Sequence, residues 1–328
     1  MFFITMIMGS MITISSNSWM GMWIGLEINL LSIIPLLSVN NKPNSTEASI
    51  KYFITQVTAS NIILMAIICM FHYNEQINSN FSFITMIQSA LFIKMGAAPF
   101  HSWFPEVMDG LSWMNCLIML TWQKIAPMII LMTIISQKMF IYFIILSSSI
   151  IGSMIGFSQV SLHKIMAYSS INHIGWMIAA MMSTKSIWII YFAIYMVISI
   201  NVIYIFWKMN VKYVVQLNNL MGSNKIMGLL FSMNFLSLGG LPPFLGFLPK
   251  WLTIEQLIYS NNQLIALFLI LVTLIAIFFY LRMSLIPMTL LNHMNLMKIP
   301  KKIPFQVMFY NFLSLFSLIM VSAIPNPL

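Results

Sequence analysis

Residues 226–258 read IMGLLFSMNFLSLGGLPPFLGFLPKWLTIEQLI, an apolar run interrupted in its middle by Gly239-Gly240-Leu241-Pro242-Pro243. A membrane-spanning helix needs about 20 mostly apolar residues, so this run is too long for one simple span. Proline removes a backbone donor and its ring clashes with the preceding turn, so a helix entering the tandem prolines must break. Backbone groups freed at membrane depth are tolerated only inside protein or beside water. A second interrupted segment, Phe92-Ile93-Lys94-Met95-Gly96-Ala97-Ala98-Pro99-Phe100, lies in the first half of the chain. Gly/Pro-interrupted spans in both halves of a transporter-like chain point to an ion pathway.

The rest of the chain fits that reading. Of 328 residues 60% are apolar and 6% charged, too few charges for a water-facing surface. Apolar segments at roughly 3–18, 19–38, 49–71, 81–98, 112–134, 139–158, 162–182, 186–207, 226–258, 262–286 and 305–324 predict an all-α polytopic membrane protein of about eleven spans. The polar stretches between them are short, so residues 1–328 read as a single transmembrane domain in a lipid bilayer. Gly21-Met22-Trp23-Ile24-Gly25 and Gly152-Ser153-Met154-Ile155-Gly156 fit GxxxG and predict close helix packing.

The net charge of +9 would suggest nucleic acid in a soluble protein, but here the cations sit in loops. Sorted by parity, Lys42, Lys51, Lys164, Lys208, Lys212, Lys225, Lys298, Lys301 and Lys302 fall on the N-terminal side, against Lys138 and Lys185 on the other. That bias is a topology signal and predicts no nucleic-acid partner. Cys69 and Cys116 lie far apart in apolar runs, which predicts neither disulfide, zinc site nor iron–sulfur cluster in this chain. The first cation is Lys42 and the only arginine is Arg282, so neither a signal nor a transit peptide is expected. Heavy use of Lys, Ile, Asn and Met matches A/T-rich codons of the mitochondrial code and suggests a mitochondrially encoded gene. The positive-inside rule then predicts an inner-membrane protein with its N-terminus in the matrix and its C-terminus in the intermembrane space.

A charge at the bilayer centre costs at least about 2.5–3.5 kcal/mol, so each mid-span charge needs a reason. Glu27, Lys94, Lys124 and Lys250 are the four such residues, and His173 is a fifth candidate because imidazole titrates near neutral pH. Desolvation disfavours a buried ammonium and a nearby carboxylate favours it, so moving the carboxylate loads or unloads a proton. Structural readings stand beside the functional one. Glu27 can be a protonated, hydrogen-bonded residue, Lys124 can satisfy carbonyls freed by Pro127, Lys94 and Lys250 can snorkel, and His173 can bridge two helices as neutral imidazole. Glu106 and Asp109 read as solvated loop acids.

Gly25-Leu26-Glu27, residues 45–53, Lys94 to His101, Thr121-Trp122-Gln123-Lys124-Ile125-Ala126-Pro127, Lys164 to Trp176 and Leu236 to Trp251 together resemble chain 2 of the animal mitochondrial NADH:ubiquinone oxidoreductase family, respiratory complex I. No motif of the family is seen after Leu285. The resemblance implies an antiporter-like subunit built on two inverted five-helix repeats with broken helices. It implies a proton relay in which Glu27 takes the channel glutamate's place, Lys94 its partner lysine's, Lys124 the central lysine's and Lys250 that of the lysine in the second broken helix. It further implies H+-translocating NADH:ubiquinone reductase activity of the whole complex. This chain would carry no cofactor, while FMN, iron–sulfur clusters and ubiquinone belong to partner subunits. The partners implied are other membrane-arm subunits, including neighbouring antiporter-like ones. A free-standing cation antiporter and a membrane scaffold remain as alternative functions.

Overall fold

The computed structural model describes residues 1–38, 43–72, 79–135, 138–216, 225–242 and 244–289. Among these there are thirteen α-helices and no strand. In chain order they are α1 (Phe2–Ser15), α2 (Trp19–Ser38), α3 (Pro43–His72), α4 (Ser79–Met95), α5 (Trp103–Gly110), α6 (Trp113–Leu120), α7 (Trp122–Thr133), α8 (Lys138–Ser158), α9 (Leu162–Ser183), α10 (Lys185–Met209), α11 (Lys225–Gly239), α12 (Phe247–Tyr259) and α13 (Gln263–Thr289). They form two compact units, Met1–Ser148 and Ser149–Leu328, whose boundary falls within α8.

Six described spans are long and apolar enough to cross a membrane: Trp19–Ser38, Pro43–His72, Trp113–Thr133, Lys138–Ser158, Lys185–Met209 and Gln263–Leu285. The eleventh expected segment, 305–324, and the loop with Lys298, Lys301 and Lys302 lie outside the described residues. The run 226–258 is split into α11 and α12, which end and begin on either side of Gly240. Residues 103–110, expected as loop, form a helix that starts with Trp103-Phe104-Pro105. Proline fits there because the first-turn N–H groups have no intrahelical partner. Pro43 opens α3 for the same reason, six residues before the apolar run begins.

In the first unit α1 crosses α2 where both lack side chains. A Cβ on Gly9 would sit 2.8 Å from the Asn29 nitrogen, and one on Gly25 would meet Thr13 Cγ2 at 2.5 Å. In the second unit a Cβ on Gly152 would lie 2.7 Å from the Asn172 nitrogen, so α8 and α9 touch backbone to backbone. Small residues permit such contact between helices that have no water to expel. The α9 helix is the centre of its unit, with 18 buried residues on all its faces. By contrast α13 leaves a stripe of large apolar side chains uncovered, as a lipid-facing helix does.

Candidate proton-path residues at the helix breaks

The first unit gathers Lys94 and Lys124 at two helix breaks. At the end of α4, Ala97 N–H donates to Phe92 O (3.0 Å) and Gly96 N–H to Ile93 O (3.1 Å), with Gly96 at φ 72°. This is the Schellman arrangement, in which a left-handed glycine lets the chain turn back and cap the last carbonyls. Trp103 Nε1 donates to the Ile93 carbonyl at 3.0 Å and completes the cap. Lys94 thus stands in the last turn of α4, buried, where the negative end of the helix dipole attracts a cation.

The second break was not legible as such. Thr121 separates α6 from α7, its hydroxyl donating to Leu117 O at 2.7 Å while Lys124 N–H turns back to Thr121 O at 3.3 Å. Pro127 supplies no N–H, so the Gln123 carbonyl loses its partner four residues on. Lys124 is 1% exposed, in the first turn of α7 at the repelling end of the dipole, with its ammonium 5.6 Å from the Phe104 ring centre.

Between these breaks lies a polar cavity of about 10 Å³, room for roughly one water. Its polar wall is Asn29, Tyr52, Gln56, Lys94 and Gln123. Asn29 and Gln123 exchange two hydrogen bonds of 3.1 Å, Tyr52 OH donates to Gln123 Oε1 at 3.4 Å, and Gln56 Nε2 donates to the Lys94 carbonyl at 3.4 Å. Asn29, Tyr52, Gln56 and Gln123 are neutral, so no desolvation cost makes them conspicuous in an apolar run. The signals were present in the Tyr52/Gln56 spacing of one helical turn and in Gln123 beside Lys124. Glu27 is half-buried and does not line the cavity.

In the second unit the break after α11 repeats the same backbone motif. Leu241 N–H donates to Leu236 O (3.3 Å) and Gly240 N–H to Ser237 O (3.0 Å), with Gly240 at φ 78°. Lys250, in the first turn of α12, reaches back into this cap. Its ammonium donates to Gly239 O at 2.6 Å and Leu238 O at 3.4 Å and lies 5.8 Å from the Trp176 ring centre. The residue is 6% exposed, so the ammonium is enclosed in protein at the break and does not snorkel out of its unit. Beside it is a cavity of about 10 Å³ walled by His173, Tyr191, Tyr195, Ser237, Leu238 and Pro249, among others. His173 Nδ1 and Tyr191 Oη are 3.0 Å apart, joining α9 to α10, and the His173 ring lies 5.2 Å from that of Tyr195.

Glu106 is exposed, as expected of a solvated acid, and it is also paired. Lys51 bonds Glu47 and Glu106, each at 2.9 Å, and so ties α3 to α5 on an exposed face. Among the described residues no three His, Cys, Asp or Glu side chains are grouped to hold a metal ion.

Apolar helices long enough to cross a membrane, broken beside buried lysines, define an antiporter-like membrane protein. The model of the NADH:quinone oxidoreductase/Mrp antiporter transmembrane family matches residues 16–277. NADH-ubiquinone oxidoreductase chain 2 of Anopheles gambiae is 47% identical over 98% of this chain and 96% of its own length. The same protein of Aedes aegypti is 46% identical over 86% of this chain and 84% of its own. A chain of respiratory complex I from Thermus thermophilus superposes with a TM-score of 0.86 at 20% identity, over 98% of this chain and 78% of that one, and so has the same fold. The chain therefore belongs to the NADH:quinone oxidoreductase/Mrp antiporter family and, within it, to the NADH-ubiquinone oxidoreductase chain 2 members.

Proposed function

We propose that the chain is a core membrane-arm subunit of the proton-translocating NADH:ubiquinone oxidoreductase, and that each of its compact units carries one part of a proton path. The observation that carries this reading is the burial of Lys94, Lys124 and Lys250, each one turn or less from a helix break. Holding three such lysines costs at least about 2.5–3.5 kcal/mol apiece, and a proton path gives all three one reason to be there. In the first unit Lys94, which lines the Asn29–Gln123 cavity, takes its proton from a water held there, Lys124 stands next to Gln123 of the same wall in the chain, and Glu27 sets the local charge. In the second unit Lys250 alternates between the carbonyls of the α11 cap and the cavity lined by His173 and Tyr191.

NADH oxidation, FMN, the iron–sulfur clusters and ubiquinone reduction belong to partner subunits, and neighbouring antiporter-like subunits flank this one. The chain crosses the mitochondrial inner membrane eleven times as two inverted five-helix repeats, N-terminus in the matrix and C-terminus in the intermembrane space. A second reading, a free-standing cation antiporter, is favoured by the family's inclusion of Mrp antiporters. Mild extraction separates the two. The chain should migrate in an assembly of several subunits containing flavin and iron–sulfur centres, and recovery of an active chain alone would favour the antiporter. Within the assembly, Glu27→Gln should lower quinone-coupled proton pumping; pumping at the parental rate would remove Glu27 from the path.

A further inference from the structure

One end of the second unit gathers four cations that the proton path does not use. Arg282 donates through Nη2 to the Gln159 carbonyl at 3.3 Å and holds its guanidinium 5.5 Å from the centre of the Phe157 ring. The strand-like turn after Gln159 pairs with the chain leaving α10, through Leu162 N–H to Lys212 O (2.9 Å) and Val214 N–H to Val160 O (3.3 Å). The backbone of Lys212 is thereby paired with Leu162, three residues past the Gln159 that accepts from Arg282, with Lys208 one turn before Lys212 and Lys164 in the first turn of α9. Residues 149–328 contain one acid, Glu255, near the end of α12. The α13 helix starts just after that end, and Arg282 lies about 28 Å farther along it at 1.5 Å per residue. Glu255 therefore does not neutralise the cluster.

Apolar surface runs straight down from these charges. Leu267, Leu271, Leu274 and Phe278 form one exposed stripe on α13 at spacings of three and four residues, and Arg282 caps the stripe four residues on. Phe278 meets Phe157 of α8 with ring centres 5.3 Å apart, and Met154 and Ile150 continue an exposed stripe on that helix. Cations above an exposed apolar surface some 15 residues long match a molecule with an anionic head and long hydrocarbon tails. We infer that this end of α8, α10 and α13 binds an anionic phospholipid of the bilayer. Its phosphodiester takes the Arg282, Lys208 and Lys212 side chains, and its acyl chains lie against Phe157 and the Leu267–Phe278 stripe. The site is independent of the proton-path reading.

The test uses the assembled complex in lipid nanodiscs of phosphatidylcholine doped with a phosphatidylglycerol probe carrying a photoreactive acyl chain, against a phosphatidylcholine probe with the same chain. Labelling of peptides covering 150–157 and 267–278 should favour the phosphatidylglycerol probe, and excess inorganic phosphate should not displace it. Arg282→Gln with Lys212→Gln should cut that labelling roughly tenfold or more, whereas Arg282→Lys should retain it. If the Arg282 variant does not assemble, Lys208→Gln with Lys212→Gln at exposed positions gives the same reading. Equal labelling by both probes, label unchanged on neutralising the cations, displacement by free phosphate, or crosslinking of these peptides to an acidic protein segment in place of lipid would each overturn the assignment.

Discussion

Replacing Gly240 with alanine tests whether the second helix break is built around Lys250. An added Cβ would stand 2.7 Å from Lys250 Cδ, 2.9 Å from Nζ and 3.0 Å from Cε, and the residue sits at φ 78°. The left-handed conformation alone costs an L-residue about 1–2 kcal/mol. The flexible end of the lysine can swing away, but only by giving up its 2.6 Å bond to Gly239 O, a charged hydrogen bond of the kind worth about 1.5–3 kcal/mol. Gly240→Ala should therefore cost about 2.5–5 kcal/mol locally. In a Lys250→Met background the bond is already gone, and only the backbone strain of about 1–2 kcal/mol should remain. The assay is a double-mutant cycle read as the fraction of assembled complex that survives heating at a fixed temperature, with proton pumping recorded in parallel. An equal loss from Gly240→Ala in both backgrounds would show that the glycine serves the turn and not the lysine.

Gln123→Ala should destabilise the first unit by about 1–3 kcal/mol by leaving the buried Asn29 amide without its partner, Asn29→Ala should cost less because the half-buried Gln123 keeps its bond from Tyr52, and the double substitution should cost less than the sum; additive losses in the same heating assay would refute the pairing. Glu106→Gln breaks an exposed bond to Lys51 that also has Glu47, so assembly and heat resistance should not change at moderate salt; a large loss would show that the α3–α5 tie is structural. In mitoplasts, protease added from the intermembrane-space side should spare the Asn292 to Pro304 segment, and cleavage there would reverse the topology.

What the sequence disclosed followed from features with strong local physics. Tandem prolines at 242 and 243 and the Gly96/Pro99 pair announce breaks because the backbone cannot continue through them, and a lysine in an apolar run is conspicuous by its desolvation cost. The Thr121 break was hidden because threonine is compatible with a helix. It is marked only by a hydroxyl bonded to the previous turn and by Pro127, which the helix absorbs. Helix α5 was missed because its 8 residues carry two acids and fall between apolar runs. The cavity wall of Asn29, Tyr52, Gln56 and Gln123 carries no charge to mark it in an apolar run, although neutral amides and phenols can hold a water beside Lys94. Both GxxxG motifs mark close contacts, at Gly25 and at Gly152, whereas Gly9, which meets α2 in the same crossing as Gly25, stands in no such motif.

The central claim is that the buried lysines carry protons, and Lys124 is the most deeply buried of them. Lys124→Met keeps bulk and apolar character, removes the titratable amine and lowers the burial cost, so the complex should still assemble. Measured side by side, NADH oxidation with an artificial acceptor that bypasses the membrane arm should stay near the parental rate while quinone-coupled proton pumping falls. An assembled Lys124→Met complex that pumps protons undiminished would contradict the account and leave Lys124 a structural residue.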